Sequence, residues 1–203
     1  MFSNSPLLQF SFSSYEMFDQ LAKEGVPINI ELLENVAVQF NNPNISDQER
    51  SHLNEILTQF QNRKDIYLYM ESLLSTPGYE KAKFYLLMAF KNFVNSCWQI
   101  VPDEGREQLR NFICENAFKT EGYSKVLHTQ LDLIVVAISK YEFPAIWPSF
   151  ISDLYDISKT STLNCDNALL ILQYFCQEIS DFADNSLTSA RAGEMVNAFT
   201  PEL

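Results

Sequence analysis

Glycine, histidine and cysteine are scarce in this 203-residue chain, which has 5 Gly, 2 His and 4 Cys. Because β-sandwiches and nucleotide-binding α/β folds depend on glycine turns, so few glycines argue against both. The cysteines are far apart in the sequence, and only His52 and His128 could complete a metal site with them. We therefore expect buried free thiols in a reducing compartment, and neither disulfides nor a zinc site.

Positive charge is also in short supply. The chain has 14 Lys and Arg against 26 Asp and Glu, which gives a formal net charge of −12 and a pI of about 4.5. Such a surface repels phosphate backbones, so we expect no direct nucleic-acid binding. The charge suits a basic protein partner, but it is equally the ordinary state of a soluble cytosolic protein, and both interpretations stay open.

Segments that target or span membranes are not found in the sequence either. The first residues lack the basic region and the small-residue cleavage site of a signal peptide. The longest apolar runs, such as Leu131 to Ser139, are too short to cross a bilayer. The prediction is a soluble intracellular protein with no membrane insertion.

Catalytic motifs are missing as well. The sequence contains no phosphate-binding loop, dinucleotide fingerprint, nucleophile elbow or His-Glu-x-x-His zinc motif. His52 and His128 fall on separate predicted helices, so we predict that the protein is not an enzyme and uses no cofactor and no metal. Asp132 interrupts an apolar helix, and two interpretations of it remain open: a hydrogen-bonded structural carboxylate or a contact to a partner.

What the sequence does contain is apolar residues at helical spacing, with 46% hydrophobic residues overall. Ser46 and Glu49 form a capping-box pattern before one of the helices. Another predicted helix begins at Pro102 and stops at Glu121-Gly122. The remaining predicted helices are Ser14–Glu24, Ile28–Phe40, Ser46–Asn62, Ile66–Leu74, Tyr79–Trp98, Ser124–Tyr141, Ser149–Ser158 and Asn164–Phe182, with Leu169, Leu172, Phe175, Cys176 and Ile179 as the core face of the last one.

Shorter amphipathic helices alternate with longer, more apolar ones in this order. The pairs begin near Ile28, Ile66, Pro102 and Ser149, a period of roughly 40 residues that is typical of HEAT and armadillo repeats. The predicted fold is therefore all-α, a right-handed α-solenoid of about four HEAT-type helical hairpins. A compact helical bundle is the alternative.

The stretch Tyr141–Leu154 organises the rest of the chain. Pro144 ends one apolar helix and Pro148 precedes the next, since proline is tolerated at the start of a helix but not inside it. Ile146 and Trp147 lie between the prolines and are too apolar for a free loop. We expect both to pack between two helix pairs.

This corner also carries a resemblance. Glu142-Phe143-Pro144, Trp147-Pro148 and residues 150–154 resemble the corresponding corner of the exportin-1 family of nuclear export receptors, in the karyopherin-β (importin-β) superfamily. Further segments resemble the same family in the same order. They are Leu32-Leu33-Glu34-Asn35-Val36, Lys83-Phe84-Tyr85 with Leu87, Asn92 and Trp98, the run 130–135, Asn167–Leu172 and Gln177–Phe182.

The resemblance implies the N-terminal arch of an export receptor that shuttles between nucleus and cytoplasm through nuclear pores. Such receptors bind the GTPase Ran in its GTP form on the second helix of each early repeat. They bind cargo with a leucine-rich export signal through central repeats that this chain lacks, and nucleoporins are further partners to expect. An importin-type karyopherin and a Ran-independent HEAT scaffold remain as alternatives.

The same resemblance implies a domain organisation. Residues 1–25 would form an N-terminal extension with a first helix, and residues 26–184 the HEAT repeats. Within the repeats, the importin-β N-terminal homology would cover about 46–116 and exportin-like repeats about 117–184. Residues 185–203 would begin a further repeat.

Candidate Ran contacts follow from the predicted inner helices Ser46–Asn62, Tyr79–Trp98 and Ser124–Tyr141. Polar residues away from the apolar stripes of these helices are either partner contacts or merely solvated side chains. The chain departs from the family at Leu86 and Met88, where the family has Gly and Gln around its Leu. The candidates are Gln48, Glu55, Gln59, Lys83, Asn92, His128 and Asp132.

Overall fold

A computed structural model describes residues 17–119, 122–180 and 188–199. Over these ranges the chain forms helices and no strand. The α-helices are α1 (Ile30–Phe40), α2 (Asp47–Gln61), α3 (Met70–Ser75), α4 (Glu80–Cys97), α5 (Asp103–Ala117), α6 (Lys125–Glu142), α7 (Phe150–Ser158), α8 (Thr162–Ser180) and α9 (Ser189–Phe199), and three short 3-10 turns cover Asp19–Ala22, Ile66–Leu68 and Trp98–Ile100.

The helices form successive hairpins. α1 packs on α2, the turn Ile66–Leu68 and α3 pack on α4, α5 packs on α6, and α7 packs on α8, which α9 also contacts. The second helices α2, α4, α6 and α8 lie side by side as one layer. This is the HEAT-type solenoid that the 40-residue period predicts, with hairpins that begin within two residues of the expected positions.

Hydrogen bonds between successive second helices show that this layer is parallel. Near their C-terminal ends, Asn92 of α4 donates to the carbonyl of Gln61 in α2 (3.4 Å), and Lys140 of α6 pairs with Glu178 of α8 (2.8 Å). α1 lies across the start of α4, where the Glu34 carboxylate accepts the Ala82 N–H at 2.6 Å. A side chain from the first hairpin thus satisfies a backbone donor that the first turn of α4 leaves free.

Local capping signals fix where α2 begins. Ser46 Oγ accepts the backbone N–H of Glu49 at 3.2 Å, and the Glu49 carboxylate accepts the N–H of Ser46 at 3.0 Å. This reciprocal pair is the predicted capping box. Ser46 and Glu49 are only three positions apart, so the sequence alone contains the signal that starts this helix.

The predicted helix Ser14–Glu24 is helical over its described residues but ends early. Met17 and Phe18 are α-helical, Asp19–Ala22 continue as a 3-10 turn, and Gly25 follows in the left-handed region (φ +77°). The buried Arg63 guanidinium holds this segment by donating to the carbonyls of Leu21 (3.0 Å) and Val26 (2.7 Å). Tertiary hydrogen bonds to residues about 40 positions away therefore decide the local conformation.

The corner between α6 and α7 packs only one of its two apolar residues. Trp147 is 8% exposed, and its ring lies 4.8 Å from that of Phe150. Ile146 is 55% exposed, so the expectation that it packs between helix pairs is wrong. The N–H groups of both residues bond the Glu142 carbonyl, and this tight turn directs the two neighbouring side chains to different sides.

Glu142, the last residue of α6, connects the second and third hairpins. Its carboxylate is 1% exposed and accepts hydrogen bonds from Trp98 Nε1 (3.0 Å) and from the Arg110 guanidinium (2.5 Å). Arg110 also lies over the Trp147 ring, 5.2 Å from its centroid. From α9, Arg191 donates to the carbonyl of Phe143 just after α6 ends.

The core face of α8 is shifted from its prediction. Leu169 was expected in the core and is 59% exposed, whereas the buried residues are Ala168, Ile171, Phe175 and Ile179. Several successive apolar residues occupy the middle of α8, so periodicity alone leaves the rotation of the helix undetermined. Predictions for residues 1–16, the stop at Glu121, residues 181–187 and residues 200–203 fall outside the described residues.

Candidate partner-binding helices

The predicted site residues lie on α2, α4 and α6, three neighbours in the layer of second helices. On α2, Gln48, Glu55 and Gln59 are all exposed. Their spacing of seven and four residues places them on one face of the helix, away from the buried Leu53 and Phe60. Gln59 Nε2 donates to Glu55 at 3.2 Å, so two of the three side chains form a polar pair that remains open to solvent.

Lys83 of α4 is only 6% exposed, and the expectation that it lies away from the apolar face is wrong. Its ammonium lies 5.5 Å from the centroid of the Tyr123 ring. Burial lowers the pKa of Lys83, because the charged form loses hydration. α4 packs on both neighbouring second helices and on the first helices, which leaves its first turns little solvent-exposed surface.

Asn92, further along α4, is half-buried. Its amide donates to the carbonyl of Gln61, the last residue of α2, at 3.4 Å. The carbonyls at the end of a helix have no partner within the helix, so this bond acts as a C-cap supplied by the next repeat. Asn92 therefore joins two repeats, in addition to any contact that it makes with a partner.

His128 and Asp132 of α6 line one cavity with a volume of about 500 Å³, between the first halves of α6 and α8. Tyr123, just before α6, lines it too, and the His128 ring lies edge-on to Tyr123 with centroids 5.8 Å apart. Because Lys83 lies over the same tyrosine, the structure brings Lys83, His128 and Asp132 together around Tyr123. The α2 residues belong to a separate surface.

Asp132 is 1% exposed, so its position away from the apolar face was also predicted wrongly. Asn167 of α8 donates a hydrogen bond to the carboxylate, but Oδ1 has no partner in the described structure. Burial raises the pKa of the Asp132 carboxyl to about 7, and the Asn167 bond lowers it by less. Both sequence interpretations therefore stay open: one oxygen has a structural bond, and the other is buried without a protein partner.

Sequence reasoning missed Tyr123 and Asn167 as members of this cluster. Tyr123 donates from its hydroxyl to the side chain of buried Asn116 at 2.8 Å, and Asn167 also donates to the Ala117 carbonyl at 3.0 Å. An aromatic residue between Gly122 and the start of a helix was the available signal for Tyr123. Asn167 gave none, since its partners lie 35 and 50 residues earlier in the chain.

Leu86 and Met88, the two residues that depart from the family pattern, differ in their exposure. Leu86 is 1% exposed and belongs to the core of the solenoid, whereas Met88 is half-buried.

Across residues 17–119, 122–180 and 188–199, no group of three or more His, Cys, Asp or Glu side chains is placed to hold a metal ion. None of the described helices has the length and hydropathy of a membrane span.

Comparison with known proteins gives two successive family matches. The model for the importin-β N-terminal domain matches residues 54–119, and the model for Exportin 1-like protein matches residues 124–202. Together they extend from the middle of α2 through α9. The chain is therefore similar to exportin-1-like proteins over its C-terminal part and to importin-β N-terminal domains over the part before it. Its HEAT-type hairpins are the architecture of importin-β and exportin domains.

Individual exportin-1 relatives come from distant organisms. Exportin-1 of Schizosaccharomyces pombe is 28% identical over 181 residues, which cover 86% of this chain and 17% of that protein. EXPORTIN 1B of Arabidopsis thaliana is 29% identical over 193 residues, with 91% and 18% covered. Exportin-1 of Dictyostelium discoideum is 25% identical over 182 residues, with 87% and 17% covered. The chain thus spans about a sixth of the length of these relatives.

Proposed function

We propose that this chain is the Ran-GTP-binding part of a karyopherin-type nuclear export receptor. The observation that carries the proposal is the importin-β N-terminal match on residues 54–119, followed at once by the exportin-1-like match. The receptor would carry proteins with leucine-rich export signals out of the nucleus. It would bind them through repeats beyond the four hairpins described here. It would shuttle through nuclear pores and act without catalysing a reaction.

Charge and exposure support a protein partner on the layer of second helices. A net charge of −12 steers basic proteins toward the chain and raises their association rate. Glu55, with Gln48 and Gln59 on the same exposed face of α2, can pair with a cation and donate or accept hydrogen bonds. We assign direct Ran contacts to these three residues.

The other four candidates have structural contacts of their own. Lys83 and Asn92 fix α4 against its neighbours, so their contribution to Ran binding would be to position that helix. His128 is half-buried at the cavity wall and can contact a partner with its exposed edge. Asp132 lines the cavity but is buried, so a contact with Ran would need a partner group that enters the cavity.

The test measures binding of the whole chain to Ran loaded with a non-hydrolysable GTP analogue and to Ran-GDP. We expect clear preference for the GTP form, and roughly tenfold weaker binding for Glu55→Lys, since a reversed interfacial charge changes the binding free energy by at least about 1.4 kcal/mol. Glu115→Lys is the matched control, because Glu115 is exposed on α5 in the other layer. Equal binding to both nucleotide forms would overturn the Ran proposal, and equal loss in both variants would overturn the α2 assignment.

The full-length protein separates the alternative functions. Binding of Ran and cargo is reciprocal, so Ran-GTP raises cargo affinity in an exportin and lowers it in an importin. A full-length protein that binds neither nucleotide form of Ran would support the HEAT scaffold instead. Measurements of Ran binding and of cargo affinity on the full-length protein therefore distinguish an exportin, an importin and a Ran-independent HEAT scaffold.

A further inference from the structure

A cleft lies between α5 and α7, the first helices of the third and fourth hairpins. Its volume is about 430 Å³, within the range of pockets that bind small ligands, so it can accept one large side chain. Val135 and Leu154 line the cleft and are buried, whereas Phe118 and Ile157 line it and are half-buried. The cleft therefore presents an apolar surface that is partly open to solvent.

Trp147 lines the same cleft and is held in place by its neighbours. Its indole Nε1 donates to the Asp153 carboxylate at 2.8 Å, and Ser149 Oγ donates to the same carboxylate oxygen at 2.9 Å. The Arg110 guanidinium lies over the Trp147 ring, 5.2 Å from its centroid. Because the aromatic wall is already fixed, a partner that packs on it loses little affinity to the ordering of side chains.

The charged residues of the cleft are all acidic. Among the described residues that line it, Glu115, Asp153 and Asp156 are carboxylates and none is basic. All three are exposed, so their charges lie at the rim of the cleft and can contact a partner in solvent. The apolar cleft thus has a negatively charged rim.

The cations close to the cleft leave this negative charge available. Arg110 pairs with the buried Glu142 at 2.5 Å. Lys159 pairs with Asp156 at 2.8 Å, but the two side chains are 53% and 73% exposed, and such surface pairs contribute at most about 1 kcal/mol. A partner cation can therefore replace Lys159 at Asp156 at little cost. Lys119, next to Phe118, donates to the Asn116 side chain and lines the other cavity.

Cys114 of α5 also lines the cleft. Burial raises the pKa of its thiol to about 12, so the thiol is neutral at physiological pH and adds to the apolar surface. Among the nearby charges, the Arg110 guanidinium opposes this rise in the pKa. Three carboxylates add to it, those of Asp153, Glu142 and Glu115, which agrees with a negative potential at the cleft.

We propose that this cleft binds a basic segment of a partner protein, which inserts one apolar side chain between Phe118 and Ile157 and pairs flanking lysines or arginines with Glu115 and Asp156. An apolar anchor in a pocket supplies most of the affinity of many interfaces, and complementary charges at the rim supply orientation and a faster association. The net charge of −12 attracts such a segment to the chain as a whole.

Two other occupants fit the cleft less well. A second copy of this chain carries the same net charge of −12, so the two acidic surfaces would repel each other. A neutral apolar segment would use the anchor site but not the charged rim. The proposal is independent of Ran binding, because α5 and α7 are first helices and the candidate Ran contacts lie on second helices.

The experiment is an NMR titration that follows the two tryptophan indole N–H signals of the isotope-labelled 203-residue chain. The probe is a blocked pentapeptide in which a leucine lies between two lysines on each side. One control peptide replaces the four lysines by glutamine, and the other replaces the leucine by glycine. We expect the probe to shift the Trp147 signal saturably and to leave that of Trp98 unchanged, because Trp98 is 1% exposed in the core. Each control peptide should bind roughly tenfold more weakly.

Two charge reversals test the rim. Glu115→Lys should weaken binding of the probe roughly tenfold, since the new charge repels a flanking lysine. Glu55→Lys is the matched control, because it changes the net charge equally on α2, in the other layer. Absence of saturable shifts at Trp147, equal binding of either control peptide, or equal loss in both variants would each overturn the proposal. Titration with Ran-GTP has the opposite expectation for these variants, so each proposal can fail without the other.

Discussion

Replacement of Glu142 by alanine is the most informative perturbation of this fold. The carboxylate is buried at the end of α6 and accepts bonds from Trp98 Nε1 at 3.0 Å and from Arg110 at 2.5 Å. Glu142→Ala leaves a guanidinium that is 11% exposed, and an indole N–H, without their acceptor. Removing one partner of a buried ion pair costs about 3–5 kcal/mol, because the other charge stays buried.

This loss of unfolding free energy corresponds to a large decrease in the thermal unfolding midpoint, Tm. For a chain of this length, 1 kcal/mol corresponds to roughly 2–4 °C, so Glu142→Ala should lower Tm by about 6–20 °C. Glu142→Gln should cost less, roughly 1–3 kcal/mol, since the amide oxygen can still accept the Trp98 N–H while the charge on Arg110 loses its counterion. The Glu142→Ala, Arg110→Met double variant should recover part of the loss, because it removes the unpaired cation.

Thermal unfolding followed by circular dichroism gives Tm, and urea unfolding gives the free energy of unfolding. Tryptophan fluorescence is the second probe, because both tryptophans border this network. Asp156→Ala breaks the ion pair with Lys159 on the surface of α7 and is the control, expected to leave the midpoint unchanged. A loss below about 1 kcal/mol in Glu142→Ala would refute the reasoning. So would a double variant less stable than Glu142→Ala alone.

Two further predictions concern buried charges. The pKa of Asp132 is raised to about 7 in the folded chain, above its value near 3.9 when unfolded. The folded state therefore binds more protons between these values, and stability should fall as pH rises from about 4 to 7, by up to about 4 kcal/mol. The urea midpoint should therefore be lower at pH 8 than at pH 5, and Asp132→Asn should abolish this difference. An unchanged difference in the variant would contradict the assignment. Arg63→Met should cost roughly 3 kcal/mol and expose residues 17–26 to hydrogen exchange, because these residues lose the buried guanidinium that holds their carbonyls. Unchanged exchange there would disprove that role.

Features encoded by neighbouring residues could be predicted from the sequence. The Ser46 capping box sets the start of α2, and the pattern of short and long helices sets the order of the hairpins. Pro144 ends α6 near the predicted position, with Glu142 as its last residue. Each of these signals acts over a few positions, so the sequence alone contains it.

The candidate site was predicted less completely than the fold. The exposed residues of α2 follow from one amphipathic helix, and the structure places all three on its open face. Lys83 and Asp132 were predicted on polar faces and are buried, because neighbouring hairpins cover parts of α4 and α6 that helical periodicity treats as exposed. Whether any of these residues contacts Ran stays a prediction.

The side chains that escaped prediction share one property, namely that they act between repeats. Glu142 and Trp98 are 44 residues apart, Lys140 and Glu178 are 38 apart, and these separations are close to one repeat. In a solenoid each repeat contacts only its neighbours, so such bonds determine how one hairpin is oriented on the next. Apolar periodicity specifies that a hairpin has a face to bury, but it does not specify the rotation at which two faces meet. Buried polar pairs supply that information, because a small rotation would leave each of them unsatisfied.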